Sequence, residues 1–255
     1  MKIDVSFSPA TVDELQMRGK NVVIVDVLRA STTIAMALQN GAREIIPVHS
    51  IENAVKISGS LFGDVTLRGG ERFGKIIEGF NLGNSPMEYT ESAVKGKSII
   101  FSTTNGTAAI TKCKYARNLV IGSFVNLTDV VEFVKETSSD FHICCAGRDS
   151  AGFSDFSLED SVCAGIIINR LLKENPSIEL TDSSSAAVTL FKSYGKSITK
   201  MLRNCDHGRY LIEIGFERDL EICGDTDSIP ILPIFSGNAI RARKATVQAP
   251  ENMVS

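Results

Sequence analysis

A chain of 255 residues, 43% hydrophobic and 22% charged, has the composition of a globular protein with room for one large core, which excludes a disordered or fibrous chain. Its formal net charge is −3, and Lys and Arg are scattered rather than striped, which argues against nucleic acid or an acidic membrane as the main partner. No apolar run reaches the roughly 20 residues of a membrane span, and the opening MKIDVSFSPA has no apolar signal core, so a cytoplasmic protein is expected.

In chain order, Lys2–Ser8 reads as a short strand and Val12–Arg18 as a short helix closed near Gly19. The β-branched run Val22–Val25 then ends in Asp26. A Val-Leu-Arg-Ala turn leads through Ser31, Thr32 and Thr33 into a helix that should stop at Asn40-Gly41. Glu44–Val48 is a strand, and Ser50 caps a helix to about Ser58. Asp64–Leu67 is a strand ending in the turn Arg68-Gly69-Gly70-Glu71-Arg72. Ser85-Pro86-Met87-Glu88 has the form of a capping box with proline at the first helical position.

Ser98–Phe101 is the next strand, followed by the turn Ser102–Thr107 and a helix to about Tyr115. Asn118–Ser123 is a strand, Asn126 caps a helix to Glu136, and Asp140–Cys145 is a strand before the loop Ala146–Phe156. Ser157 opens a long helix to about Lys173. Thr181 starts another through Tyr194, and short helical pieces fill Ile198–Cys223, broken at Asp206-His207-Gly208 and at Gly215. A last strand, Ile229–Phe235, carries Pro230 and Pro233, which place it at a sheet edge.

Strand–helix alternation over the first 175 residues predicts an α/β sandwich with a mostly parallel sheet. The helical segment 176–225 is expected to pack on it within a single domain. Cys113, Cys144, Cys145, Cys163, Cys205 and Cys223 form no CxxC, so they are expected as buried free thiols of a reducing compartment, without zinc.

Three junctions, Asp26–Thr33, Ser102–Thr107 and Cys145–Asp160, run strand, small polar loop, helix. If their strands are parallel neighbours, the loops open on one edge and form one pocket. Asp26, Glu71, Glu159 and Asp160 on that edge, with Arg29 and Arg72, match the oxygen ligands of a hard cation. The same residues also suit a loop cap, a surface pair and a helix-dipole partner. Ser102–Thr107 can present backbone N–H groups to an anion or serve as a helix cap. Gly69-Gly70 allows a close backbone approach or a plain tight turn. His207 is the one histidine in a polar loop-like context and suits an acid–base or a structural role. The chain has no GxxxxGK[ST], no GxGxxG after a strand and no GxSxG elbow. No Asp stands two residues after Asp26, and no arginine six after a cysteine. Metal-assisted chemistry on a small anionic substrate remains.

Taken together, DVLRASTT (Asp26–Thr33), GGERFG (Gly69–Gly74), GFNLGNSP (Gly79–Pro86), STTNGT (Ser102–Thr107), LEDSVCAG (Leu158–Gly165) and GRYLIEIG (Gly208–Gly215), with Asp219 and Cys223, resemble the 2-phosphosulfolactate phosphatase family. The resemblance implies a three-layer α/β/α fold and a Mg²⁺-dependent phosphatase. It would hydrolyse (2R)-2-phospho-3-sulfolactate to 3-sulfolactate and phosphate, as in coenzyme M synthesis. On that reading Mg²⁺ sits on Asp26, Glu71 and Asp160 or Glu159, and Arg29 and Arg72 neutralise phosphate and sulfonate. Ser31, Thr32, Thr103, Thr104, Asn105, Gly106 and Thr107 take the remaining oxygens. Asp26 is either nucleophile or metal ligand, with the ligand role preferred. A Mg²⁺-dependent phosphatase of another small phospho-acid and a non-catalytic phosphometabolite-binding protein are the alternatives. A homodimer is the base-rate expectation, two-fold dimers being the commonest oligomers.

Overall fold

A computed structural model of the chain describes residues 1–60, 65–150 and 153–243. The run Val22–Val25 is buried on both faces, as befits a central parallel strand. In chain order the elements are β1 (Lys2–Ser6), β2 (Asn21–Val25), α1 (Ala30–Gln39), β3 (Glu44–Pro47), α2 (Ile51–Ser60), β4 (Thr66–Arg72) and β5 (Lys75–Ile76). Next come α3 (Glu91–Val94), β6 (Ser98–Ser102), α4 (Gly106–Lys112), β7 (Asn118–Gly122), α5 (Leu127–Thr137) and β8 (Phe141–Cys145). The chain continues through β9 (Arg148–Ser150), β10 (Phe153–Asp155), α6 (Leu158–Glu174), β11 (Glu179–Leu180) and α7 (Asp182–Tyr194). It closes with α8 (Ile198–Asn204), α9 (Asp206–Glu213), α10 (Glu217–Gly224), β12 (Pro233–Ser236) and β13 (Ala239–Ala242).

The main sheet runs β11-β1-β8-β2-β7-β12-β13-β3-β6-β4-β5. The strands from β11 to β7 are mutually parallel, as are β3, β6 and β4. The β12–β13 hairpin joins the two blocks by three antiparallel pairings, which reverse the second block relative to the first. Helix α1 lies across the adjacent strands β7, β12, β13 and β3, and α4 touches β2 and β3, so one helical layer spans both blocks. Ile34 and Leu38 of α1, Ile110 of α4, Ile24 of β2 and Phe101 of β6 belong to one core there. The opposite face of the first block is covered by α5, α6 and α7, through Val130, Val162 and Ala187. Helix α2 closes the far side of the second block on Ile100. The chain is thus a three-layer α/β/α sandwich with a mixed, mostly parallel sheet and a C-terminal helical segment. No described helix is long and apolar enough to cross a membrane.

Several local expectations change. Residues 14–19 form turns rather than a helix: Asp13 accepts Leu15 N and Gln16 N, and only Val12 and Met17 reach the core while Leu15 is exposed, too little buried apolar surface to hold a helix. Ser85 donates to Asp219 instead of capping, and Glu88 accepts from Gly83 N, so Pro86–Glu88 is only a 3-10 turn. The stretch Arg68–Arg72 is strand β4 itself rather than a turn after one, while Asp64 lies outside the described residues. The loop Ala146–Phe156 contains the antiparallel pair β9–β10, with residues 151 and 152 outside the described set. His207 sits in the first turn of α9 rather than at a break. Strand β12 is interior to the sheet, not an edge: Pro233 is its first residue, where a missing N–H costs little, and Pro230 precedes it. All six cysteines are buried free thiols.

Candidate active site

Asp26 follows directly on β2 and is buried. Its backbone carbonyl accepts Ser31 N at 2.9 Å, its own N–H donates to Ser31 Oγ at 2.9 Å, and its Oδ1 accepts Ala30 N at 3.2 Å. The junction is held from the neighbouring strand as well. Asp160, in the first turn of α6, accepts Val27 N at 2.8 Å and Gly147 N at 3.2 Å, tying the loops after β2 and β8 together. These two strands are parallel neighbours, as the shared-pocket expectation required.

The loop after β6 reaches the same place by another route, because β6 is neither a neighbour of β2 nor parallel to it in the sheet. A Cβ built on Gly106 would stand 2.5 Å from Asp26 Oδ2 and 2.7 Å from Ala30 Cβ, so the start of α4 abuts Asp26 only because residue 106 has no side chain. Glu71, near the end of β4, is buried and bridges two turns: Oε1 accepts Thr104 N and Oε2 accepts Gly74 N, each at 2.8 Å. Gly70 lets β4 lie against Ser102 O, with φ +139°. The paired glycines therefore serve close approach.

A cavity of about 690 Å³ opens between these loops. Of the expected residues, Asp26, Arg29, Glu71, Thr103, Thr104 and Asn105 line it. The others have work elsewhere. Ser31 receives Asp26 N, and Thr32 donates to Val27 O and bonds Ser123. Thr107 exchanges bonds with Thr103, and Gly106 supplies only clearance. Arg72 turns away, donating to the carbonyls of Glu71, Ser102 and His49 and to Ser102 Oγ. Asp160 holds backbone from below, and Glu159 pairs with His207 Nδ1 at 3.4 Å. Neither Asp160 nor Glu159 lines the cavity.

Arg29 is in the wall but not free. Its guanidinium is buried, donating to Asp219 Oδ2 at 2.7 Å and to Gly74 O at 2.6 Å, and it stacks 4.3 Å from the Phe216 ring centroid. Asp219 also accepts Ser85 Oγ at 2.6 Å. The charge expected to meet substrate is thus balanced inside the protein.

Further wall residues were not singled out from the sequence: Leu28, Phe73, Asn84, Arg148 and Tyr210. Asn84 and Tyr210 lie inside GFNLGNSP and GRYLIEIG, so the motifs contained them without marking a role. Arg148 lies in no motif. His207, whose polar context suits an acid–base or a structural role, lines the cavity too. Two buried oxygens of the wall residues have no hydrogen-bond partner among the described residues, Asn84 Oδ1 and Thr104 Oγ1.

Burial pushes the Asp26 carboxyl up to about 6; the charge of His207 and the Ala30 N–H pull it down, and Glu71 and Glu159 add to the rise. Asp160 is pushed well above the usual carboxylate range by burial, then by Glu159 and Asp26. Glu159 is held below its ordinary value although burial opposes this, because the hydrogen bond and charge of His207 prevail.

Among the described residues no three His, Cys, Asp or Glu side chains are gathered as a metal cage. The four expected carboxylates separate into two that face the cavity, Asp26 and Glu71, and two that do not. Two carboxylates suit Mg²⁺, which takes one or two from protein and completes its octahedron with water and substrate phosphate. The unpartnered oxygens of Asn84 and Thr104 in the same wall are of the matching donor type. The residues present fit such an ion.

A family model described as 2-phosphosulpholactate phosphatase matches residues 6–238. A probable 2-phosphosulfolactate phosphatase of Clostridium acetobutylicum is 37% identical over 240 residues, 94% of this chain and 100% of that protein. One from Symbiobacterium thermophilum is 38% identical over 221 residues, 87% of this chain and 93% of that protein. One from Caldanaerobacter subterraneus subsp. tengcongensis is 37% identical over 231 residues, 91% and 94% of the two chains.

Proposed function

Since the chain belongs to the 2-phosphosulpholactate phosphatase family, we propose that it is a Mg²⁺-dependent phosphatase converting (2R)-2-phospho-3-sulfolactate and water to 3-sulfolactate and phosphate, the reaction type of coenzyme M synthesis. The observation that carries this reading is the pair of buried carboxylates, Asp26 and Glu71, in one cavity with two unpartnered wall oxygens. Carboxylates repel a phosphate unless a cation intervenes, so a mere phosphometabolite binder has no use for them there.

Asp26 and Glu71 would hold the ion. When bound, Mg²⁺ supplies positive charge against the phosphate and lowers the pKa of water. The chain's own part is to fix geometry, which dominates phosphoryl-transfer catalysis. Glu71 is pinned by Thr104 N and Gly74 N, so the turns after β4 and β6 move with it. Asp26 has one oxygen on Ala30 N and the other against Gly106. That confinement suits a fixed ligand better than a nucleophile that must advance on phosphorus. Phosphate trapped on Asp26 after rapid quench would overturn the ligand role.

The test is phosphate release from 2-phosphosulfolactate and a panel of 2-phospho-acids, with Mg²⁺ and with EDTA. Mg²⁺-dependent release favouring the sulfonated substrate supports the whole reading. Release from other phospho-acids alone keeps the chemistry and discards the pathway, and tight binding without release points to a binding protein.

A further inference from the structure

We propose that Arg148 is the specificity residue of the cavity, its guanidinium fork taking the second anionic group of a phospho-acid, a carboxylate or sulfonate, while the phosphate lies toward Asp26 and Glu71. The proposal rests on the phosphatase reading above. It follows from which cations near the cavity still have donors to offer. Arg29 is balanced by Asp219 and stacked on Phe216. Arg72 is committed to backbone carbonyls and Ser102, and His207 faces Glu159. Arg148 alone among the arginines lining the cavity has a guanidinium that makes no hydrogen bond or ion pair with any described residue.

Its position is nevertheless built. Arg148 opens β9 immediately after Gly147, whose N–H is held by Asp160 Oδ2 at 3.2 Å. The guanidinium carbon lies 5.9 Å from the centroid of the Tyr210 ring. Tyr210 in turn is anchored by its hydroxyl, which donates to Phe73 O at 3.0 Å. A guanidinium beside an aromatic face keeps its in-plane N–H groups free, and that planar fork matches two oxygens of a carboxylate or sulfonate. Asp26 and Glu71 would otherwise repel a second anionic group entering the same cavity. The ligand class that satisfies all of these groups is a small phospho-acid with at least one further anion beside its phosphate.

The experiment compares the full chain with R148A and R148K on 2-phospho-3-sulfolactate and on glycerol 2-phosphate, a secondary monoester with a neutral tail. In R148A the ratio of kcat/KM for the acid to that for the neutral ester should fall about 10- to 100-fold, mostly through KM, as for loss of a charge-assisted hydrogen bond. R148K should recover part of the ratio. An unchanged ratio, or equal loss on both substrates, overturns the assignment. If R148A does not fold, R148Q carries the same comparison. If the unmodified chain hydrolyses neither ester but releases phosphate from another 2-phospho-acid, that acid replaces the sulfonated one in the comparison. If it hydrolyses none, the phosphatase reading fails and binding decides on Arg148. A Kd for 3-sulfolactate weakened about 10-fold or more in R148A, with affinity for inorganic phosphate kept, upholds the anion role. Equal Kd values, or no 3-sulfolactate binding by the unmodified chain, overturn it.

Discussion

Arg29 Nη1 and Asp219 Oδ2 meet at 2.7 Å across 190 residues of sequence, with both side chains only 2% exposed. The pair fastens the loop before α1 to α10, and it turns an arginine that looks like a phosphate clamp into part of the wall. Removing one member of a buried pair leaves an uncompensated charge, typically worth about 3–5 kcal/mol. Asp219→Ala should lower unfolding stability by about that amount, since it strands both the Arg29 guanidinium and Ser85 Oγ. Equilibrium urea unfolding checks this, and an unshifted midpoint would refute it.

Asp26 makes stability depend on pH in metal-free buffer. Its folded-state pKa, about 6, lies above the ordinary carboxylate value, so the folded chain holds this proton more tightly than the unfolded chain does. The resulting stabilisation is complete below about pH 4 and is lost as pH rises through about 6. Asp26→Asn cannot ionise, so it should be more stable than the parent by about 2–3 kcal/mol at pH 8 and by little at pH 4, while phosphate release is abolished. Paired denaturation curves at the two pH values read the difference. A variant no more stable at pH 8 than at pH 4, relative to the parent, would contradict the buried-charge account.

Gly106→Ala should damage the site more than the fold. The added methyl meets Asp26 Oδ2 at 2.5 Å and Ala30 Cβ at 2.7 Å, so either Asp26 or the start of α4 must move. A displacement of this size near the reacting groups costs about 100-fold in kcat. Steady-state kinetics beside a far-ultraviolet spectrum tests it. Full activity in a folded Gly106→Ala would show that Asp26 need not stay where it is.

Loading with Mg²⁺ should stabilise EDTA-treated protein. An ion bound by the native chain alone contributes about 2.7 kcal/mol at 100 times its Kd, and Asp26→Asn should blunt the effect by removing one of two charged donors. Thermal unfolding at increasing Mg²⁺ measures this. A melting temperature indifferent to Mg²⁺ in the unmodified chain would count against Asp26 and Glu71 as its ligands.

Local sequence determined much of this protein. The β-branched run before Asp26, Ser50 before α2, Ser157 before α6 and Thr181 before α7 act through neighbours a few residues away, and their hydrogen bonds form where the residue types require. Local pattern misled where a distant partner outbid the near one. Ser85 bonds Asp219 rather than its own turn, and Pro233 opens an interior strand because the β12–β13 hairpin must bridge two reversed blocks.

The motifs located Asp26, Glu71, Thr103, Thr104 and Asn105 in one cavity, but residue type alone could not say which charges face it. That depended on pairings between segments far apart. Asp219 neutralises Arg29, backbone carbonyls absorb Arg72, and His207 engages Glu159, while no described residue takes a hydrogen bond from the Arg148 guanidinium. A side chain's type is written at its own position, whereas its availability depends on what the rest of the chain brings within about 3 Å of its polar atoms.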